Sequence, residues 1–336
     1  MKMARPSLAV SDSFTGMTPS DCRPAYLALA MLLFSTTEVF CSAAQQFVLA
    51  APDVAVFCGG EDVVEMQRNG YLETLLTLNC AEKKVRFRNL GWEGDTVYEQ
   101  PRELNFGSWS NQFRRVGATV IFVQFGQSES LQGMDAVPRF TEAYLKLLDE
   151  FSMQTKRLVL LSPTPWESGP ALLPDLSARN NALKRYVNAI AAVARERSLV
   201  FVDLFTPLQK AALSKQPLTR DGLHLNAPGH WLAAQEIIRQ LGLRMPSAVK
   251  LNAPASALTP AHFDQLRQAI VQKNQFWFDY WRPMNWAFLH GDRTEQPSSR
   301  DHRNPNIRWF PQELEKFQAL IQQEEGEIAA RVENLR

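Results

Sequence analysis

Ala118-Thr-Val-Ile-Phe-Val-Gln-Phe125 is an unbroken apolar run that ends in Gly126-Gln-Ser128-Glu129. A strand buried on both faces reads this way, because neither side of it needs a polar residue. Similar short runs lie on either side in the chain. Asp53-Val-Ala-Val-Phe57 ends in Cys58-Gly59-Gly60, Lys84 to Asn89 alternates, Arg157-Leu-Val-Leu-Leu-Ser162 is apolar, and Leu199-Val-Phe-Val-Asp203 closes the series. Between them lie stretches with helical spacing: Tyr71–Leu78, Phe140–Phe151, Asp175–Arg197 and His230–Leu241. Strands alternating with helices imply βαβ units, and hence a mostly parallel sheet with helices on both faces. In such sheets chemistry gathers at the carboxyl ends of the strands. The segments to inspect are therefore Gly59–Asp62, Gly91–Thr96, Gly126–Ser130, Ser162–Glu167 and Asp203.

Lysine plus arginine number 36 and aspartate plus glutamate 35, a net charge of +1. That balance carries no electrostatic footprint for nucleic acid or an anionic membrane surface. Residues 1–44 have the pattern of a signal peptide. Lys2, Arg5 and Arg23 precede an apolar stretch from Ala25 to Phe34, and Ser42-Ala43-Ala44 is a small-x-small cleavage site. The expectation is an exported protein, periplasmic or secreted, with no stable membrane span after cleavage; the apolar stretch is short for one. Of four cysteines, Cys58 and Cys80 remain beyond the cleavage site, open to a disulfide or to two buried thiols. No spacing of cysteine and histidine points to a metal, and no cofactor is expected. The sequence assigns no oligomeric state.

After residue 249 the texture changes. Four of the eight tryptophans fall between 277 and 309, and residues 291–305 read as a polar, proline-rich loop. A charged helix then runs from Phe310-Pro311 toward the end, with an apolar stripe at Leu314, Phe317 and Ile321. This predicts a main domain at 50–248 and a helical, aromatic-rich extension at 249–336. Aromatics beside arginine and asparagine suit a sugar, since they combine stacking with planar hydrogen bonding. Arg300 and His302, in the loop Ser298-Ser-Arg-Asp-His302, are expected to face the catalytic pocket.

The chemistry-bearing motif is Asp221-Gly-Leu-His224. A carboxylate three residues before a histidine can orient and charge-balance the imidazole as a general base. Together with Gly59-Gly60-Glu61, Asn89-Leu-Gly-Trp-Glu-Gly94-Asp95-Thr96 and Gly126-Gln-Ser128-Glu129, it resembles the four blocks of the SGNH (GDSL-type) hydrolases, in family order and at strand ends. The resemblance implies a flavodoxin-like α/β sheet and hydrolysis of a small or carbohydrate ester. In that scheme His224 is the base, Asp221 its orienting acid and Gly94 the oxyanion donor, and Trp92 and Asp95 lie at the substrate. Two signature residues differ. Glu61 stands where the family has its nucleophilic serine, and Ser128 where it has an oxyanion-binding asparagine. The alternatives are a catalytically inactive module that binds a glycan, and an α/β-hydrolase-like esterase using Ser128, Asp203 and His224. The latter is drawn from the approach of Gly126-Gln-Ser128-Glu-Ser130 to a nucleophile elbow.

Overall fold

Five parallel strands form one sheet in the order β2-β1-β3-β4-β5. The strands are β1 (Val54–Gly59), β2 (Arg86–Asn89), β3 (Val120–Gln124), β4 (Leu158–Leu161) and β5 (Val200–Val202). All five fall on the runs read from the sequence. This computed structural model describes residues 47–102, 104–213, 216–246 and 261–335. The expected signal peptide lies outside the described residues. No helix among the described residues is long and apolar enough to cross a membrane.

Alternation along the strands divides the core in two. Ala55 and Phe57 of β1 join Val120 and Phe122 of β3 on one face, covered by α1 (Glu61–Asn69), α2 (Tyr71–Asn79) and α7 (Ala227–Gln240). Val54, Val56 and Cys58 join Ile121 and Val123 on the other, under α3 (Trp109–Val116), α4 (Val137–Gln154) and α5 (Asn180–Glu196). The short α6 (Phe205–Ala212) follows β5. Cys58 and Cys80 are both free, buried thiols, one in each cluster on opposite sides of the sheet, so no disulfide joins them.

Two helix boundaries differ from the sequence reading, each for a local reason. The expected helix from Asp175 begins only at Asn180, because Asp175 is bridged to Ser168 and its carboxylate caps the Ser177 amide. The helix expected from His230 begins at Ala227, with Asn226 accepting from the Gly229 amide and Pro228 in the first turn. Helices α1, α3 and α6 were not legible at all; α1 is only nine residues long and starts on Glu61 itself.

The C-terminal helices α8 (Ala261–Trp281) and α9 (Trp309–Asn334) belong to the same compact unit as the sheet, which spans residues 45–336. The aromatics of α8 act as its anchors. Trp277 Nε1 donates to the Asn89 carbonyl at 2.7 Å, Trp281 Nε1 to Gln112 Oε1 at 3.3 Å, and the buried Lys273 pairs with Glu73 at 2.6 Å.

His230, on α7, is buried, and its Nε2 has no hydrogen-bond partner among the described residues. Burial disfavours the charged imidazolium and pushes its pKa down from 6.5 to about 4. A base held neutral in the fold contributes stability that is present above its unfolded pKa and lost as pH falls from 6.5 toward 4. The interval corresponds to about 3 kcal/mol. The His230→Leu variant should therefore show a flatter fall in urea-unfolding free energy between pH 6.5 and 4 than the parent; parallel curves would mean that His230 is not held neutral.

Candidate active site

β1 delivers its last residue, Gly59, against β3. A Cβ there would sit 2.3 Å from the Gln124 carbonyl oxygen, so only glycine permits this approach. Two residues later Glu61 opens α1 at the carboxyl edge of the sheet. Its carboxylate lies 3.9 Å from His224 Nε2. The other imidazole nitrogen, Nδ1, is 2.5 Å from Asp221 Oδ2, while Asp221 Oδ1 accepts from the amides of Leu223 and His224. Glu61, His224 and Asp221 thus form a line, with the acid-histidine half of a triad intact and a carboxylate in the nucleophile's place.

The loop carrying Asp221 and His224 is held by a residue with no motif to reveal it. Glu167, just after β4, is buried and accepts from the amides of Leu218 and Thr219 and from the Thr219 hydroxyl; its own amide donates to the Gly222 carbonyl. Gly222 turns at φ +89°, and a Cβ there would meet the Glu167 carbonyl at 2.7 Å. The glycine following Asp221 is therefore required by both its conformation and its neighbour.

The edge is rich in acids. Burial raises the Glu61 carboxyl above its ordinary range, with Glu93 and Glu65 adding to the shift and His224 opposing it. Asp62 is buried beside it and pushed up to about 6 by desolvation, against a 2.7 Å hydrogen bond from Thr164. Asp221 is held below the carboxylate range: its partial burial works the other way, but the hydrogen bonds from His224 and from the Leu223 amide outweigh it. Glu129 is buried and accepts from the amides of Gly126 and Val97, which fixes the turn after β3.

Gly94 follows β2 at φ +80° with open space where a side chain would be. Among the described residues neither its amide nor that of Glu61 donates to a protein acceptor. Three arginines lock the residues on either side of it. Glu93 binds Arg68 at 2.8 Å and Arg282 at 2.5 Å, and Asp95 is clasped by both terminal nitrogens of Arg102 at 2.7 Å. The Arg282 and Arg102 guanidinium groups lie over the Trp92 ring, 3.8 Å and 4.1 Å from its centroid, and Phe106, Trp281 and Trp286 meet it edge-on. Arg282 follows the end of α8, so the C-terminal helices brace the loop that presents Gly94.

Other residues singled out in the sequence fall as follows. Trp92 and Asp95, expected at the substrate, are engaged in this packing and ion pairing. Ser128 is exposed and lines a hollow of about 30 Å³ together with Glu61, Asp62 and Gln127. The Ser128-Asp203-His224 triad is not assembled: His224 Nδ1 is taken by Asp221, and Asp203 caps the Thr206 amide. Ser128 has ordinary helical angles, φ −61° and ψ −40°, without the strain of a nucleophile elbow. Arg300 pairs with Glu295 inside its own loop, Ser299 is buried on the Thr294 and Gln296 carbonyls, and His302 is exposed. The described residues contain no cluster of acids, histidines and cysteines that could hold a metal.

A flavodoxin-like sheet with an acid-histidine pair and a glycine amide at its carboxyl edge defines a hydrolase of the SGNH type. The family model of GDSL-like lipases and acylhydrolases matches residues 52–232, and the chain belongs to that family. It is 28% identical over 212 residues to a GDSL esterase/lipase of Arabidopsis thaliana, a match covering 56% of this chain and 78% of the relative. Among solved structures, a gut microbial diltiazem-metabolizing enzyme superposes with a TM-score of 0.58 at 11% identity, covering 86% of this chain and 96% of that one. A catalytic mutant of an acetylxylan esterase from Geobacillus stearothermophilus gives a TM-score of 0.48 at 16% identity, over 60% of this chain and all of the other.

The clamp on Trp92 can be measured. Arg282→Ala should lower unfolding free energy by about 1–2 kcal/mol, the loss of a charge-assisted hydrogen bond on a partly exposed pair. It should also change tryptophan fluorescence, because Trp92, Trp281 and Trp286 share the cluster. Arg282→Lys should recover only part of the stability, since an ammonium cannot both stack and fork. An unchanged urea midpoint in Arg282→Ala would contradict this account.

Proposed function

We propose that this chain is an exported esterase that removes small acyl groups, such as acetyl, from a carbohydrate or another small ester, with His224 activating water. The observation that carries the reading is the Asp221-His224 pair, whose free Nε2 faces the block-one position across 3.9 Å. The imidazole takes a proton from a water held between it and Glu61, and the water oxygen bonds to the ester carbonyl carbon. Asp221 balances the imidazolium. The negative charge that develops on the carbonyl oxygen is received by the amides of Gly94 and Glu61 and by the Ser128 hydroxyl. Collapse of the tetrahedral adduct breaks the carbon-oxygen bond, and the leaving alkoxide takes the proton back from His224. The hollow beside Glu61 favours a small acyl group: its 30 Å³ accommodates about two water molecules.

Glu61 also favours a second reading, a non-catalytic module that binds a glycan. A carboxylate is a poor nucleophile toward an ordinary ester, and when ionised it repels an oxyanion.

Hydrolysis of acetyl esters, including acetylated sugars, separates the two. Under the esterase reading His224→Ala lowers turnover by about 100-fold or more. Glu61→Ser restores a hydroxyl beside the imidazole, and that variant should become labelled by a fluorophosphonate while the parent does not. No turnover in the parent, with glycan binding that survives His224→Ala, would sink the esterase reading in favour of the binding module.

A further inference from the structure

A second hollow opens at the free edge of β2 and shares no residue with the hollow at Glu61. Its volume is about 370 Å³, within the range of small-molecule sites, roughly 300–1,000 Å³. Val85 and Phe87 form one wall, Cys80 the end of α2, and Ile328, Ala329 and Val332 of α9 the other side. Gly326, in the middle of α9, lies on its rim with no heavy atom within 4 Å of where a Cβ would sit. Glycine is unfavourable inside a helix, and here its missing side chain leaves the mouth open.

The polar groups around the hollow sort into paired and unpaired. Glu73 is neutralised by Lys273 at 2.6 Å and Glu325 by Arg88 at 2.7 Å. Lys84 and Arg86 are exposed at the mouth, and among the described residues neither has an acid within ion-pair distance. The strand edge adds a donor. The Arg86 amide donates inward to the Asp53 carbonyl, so the next residue, Phe87, faces outward. Its carbonyl receives Lys273 Nζ at 3.3 Å and Arg88 Nη1 at 2.8 Å; its amide points the same way, with no protein acceptor among the described residues. The hollow is thus apolar along its sides, with a free amide on one wall and two uncompensated cations at the mouth.

We propose that this hollow binds a medium-chain carboxylate, its alkyl tail against Val85, Ile328, Ala329 and Val332 and its head group at Lys84 and Arg86. Tail burial provides the driving force, and the cations select an anion over a neutral lipid. The site is independent of ester hydrolysis at His224.

Isothermal titration of the full chain with decanoate, and with decanol as its uncharged counterpart, tests this. Saturable decanoate binding is expected, at least tenfold tighter than decanol. Lys84→Glu combined with Arg86→Glu should weaken it tenfold or more. Ala329→Trp and Gly326→Leu should each abolish it by filling the hollow, and Gly326→Leu should do so with a melting temperature no lower than the parent's, which separates blocking from misfolding. His224→Ala should leave binding unchanged. The proposal is overturned by the absence of saturable binding, by binding that persists in both filling variants, by decanol binding as tightly as decanoate, or by loss of binding in His224→Ala, which would place the ligand in the catalytic hollow.

Discussion

An all-parallel sheet allows no hairpins. Each strand must be followed by a crossover that covers one face before the next strand begins, so all the loops that leave strand ends emerge at one edge. In this chain the sheet order reverses between β1 and β3. That reversal brings together the loop after β1, with Glu61, the loop after β2, with Gly94, and the turn after β3, with Ser128. The loop that carries Asp221 and His224 arrives late in the chain and is tied to the same edge by Glu167 after β4. The site is a consequence of where a parallel sheet puts its connections.

What the edge contains is an excess of acids held by arginines. Glu65, Glu93 and Asp95 are fixed by Arg68, Arg220, Arg282 and Arg102, and these pairings keep Glu65 and Glu93 ionised despite partial burial. Glu61 and Asp62 have no arginine of their own among the described residues, and burial raises both. Glu61, which faces His224 Nε2, and its neighbour Asp62 are thus inclined by burial toward the protonated form. A protonated Glu61 would not repel an oxyanion, which softens the conflict between this residue and the family's chemistry.

The C-terminal extension serves the sheet more than it forms a surface of its own. Its aromatic density read as a platform for sugars, but Trp277 and Trp281 spend their indole nitrogens on the Asn89 carbonyl and on Gln112, and Trp286 packs on Trp92. Arg282 reaches from α8 to Glu93 and so links the extension to the loop that presents Gly94. The same packing of α8 and α9 on the sheet edge leaves the hollow beside β2, lined on the α9 side by Gly326, Ile328, Ala329 and Val332.

The strands, their order of appearance, the fold class and the Asp221-His224 pair were legible in the sequence because each is a local signal: an apolar run closed by glycine, or two residues one turn apart. Glu61 could be placed at the block-one position for the same reason. Its 3.9 Å approach to His224, the support of the Asp221 loop by Glu167 and the clamp of Arg102 and Arg282 on Trp92 could not be read. Glu93 and Arg282 are 189 residues apart, and nothing local to either announces the other. The sequence by itself determined a parallel α/β hydrolase scaffold with an altered nucleophile position. Only the tertiary structure decided which acids stay charged, which tryptophans are occupied and where the second hollow opens, because ion pairing and burial depend on neighbours that the chain brings together only when the helices dock on the sheet.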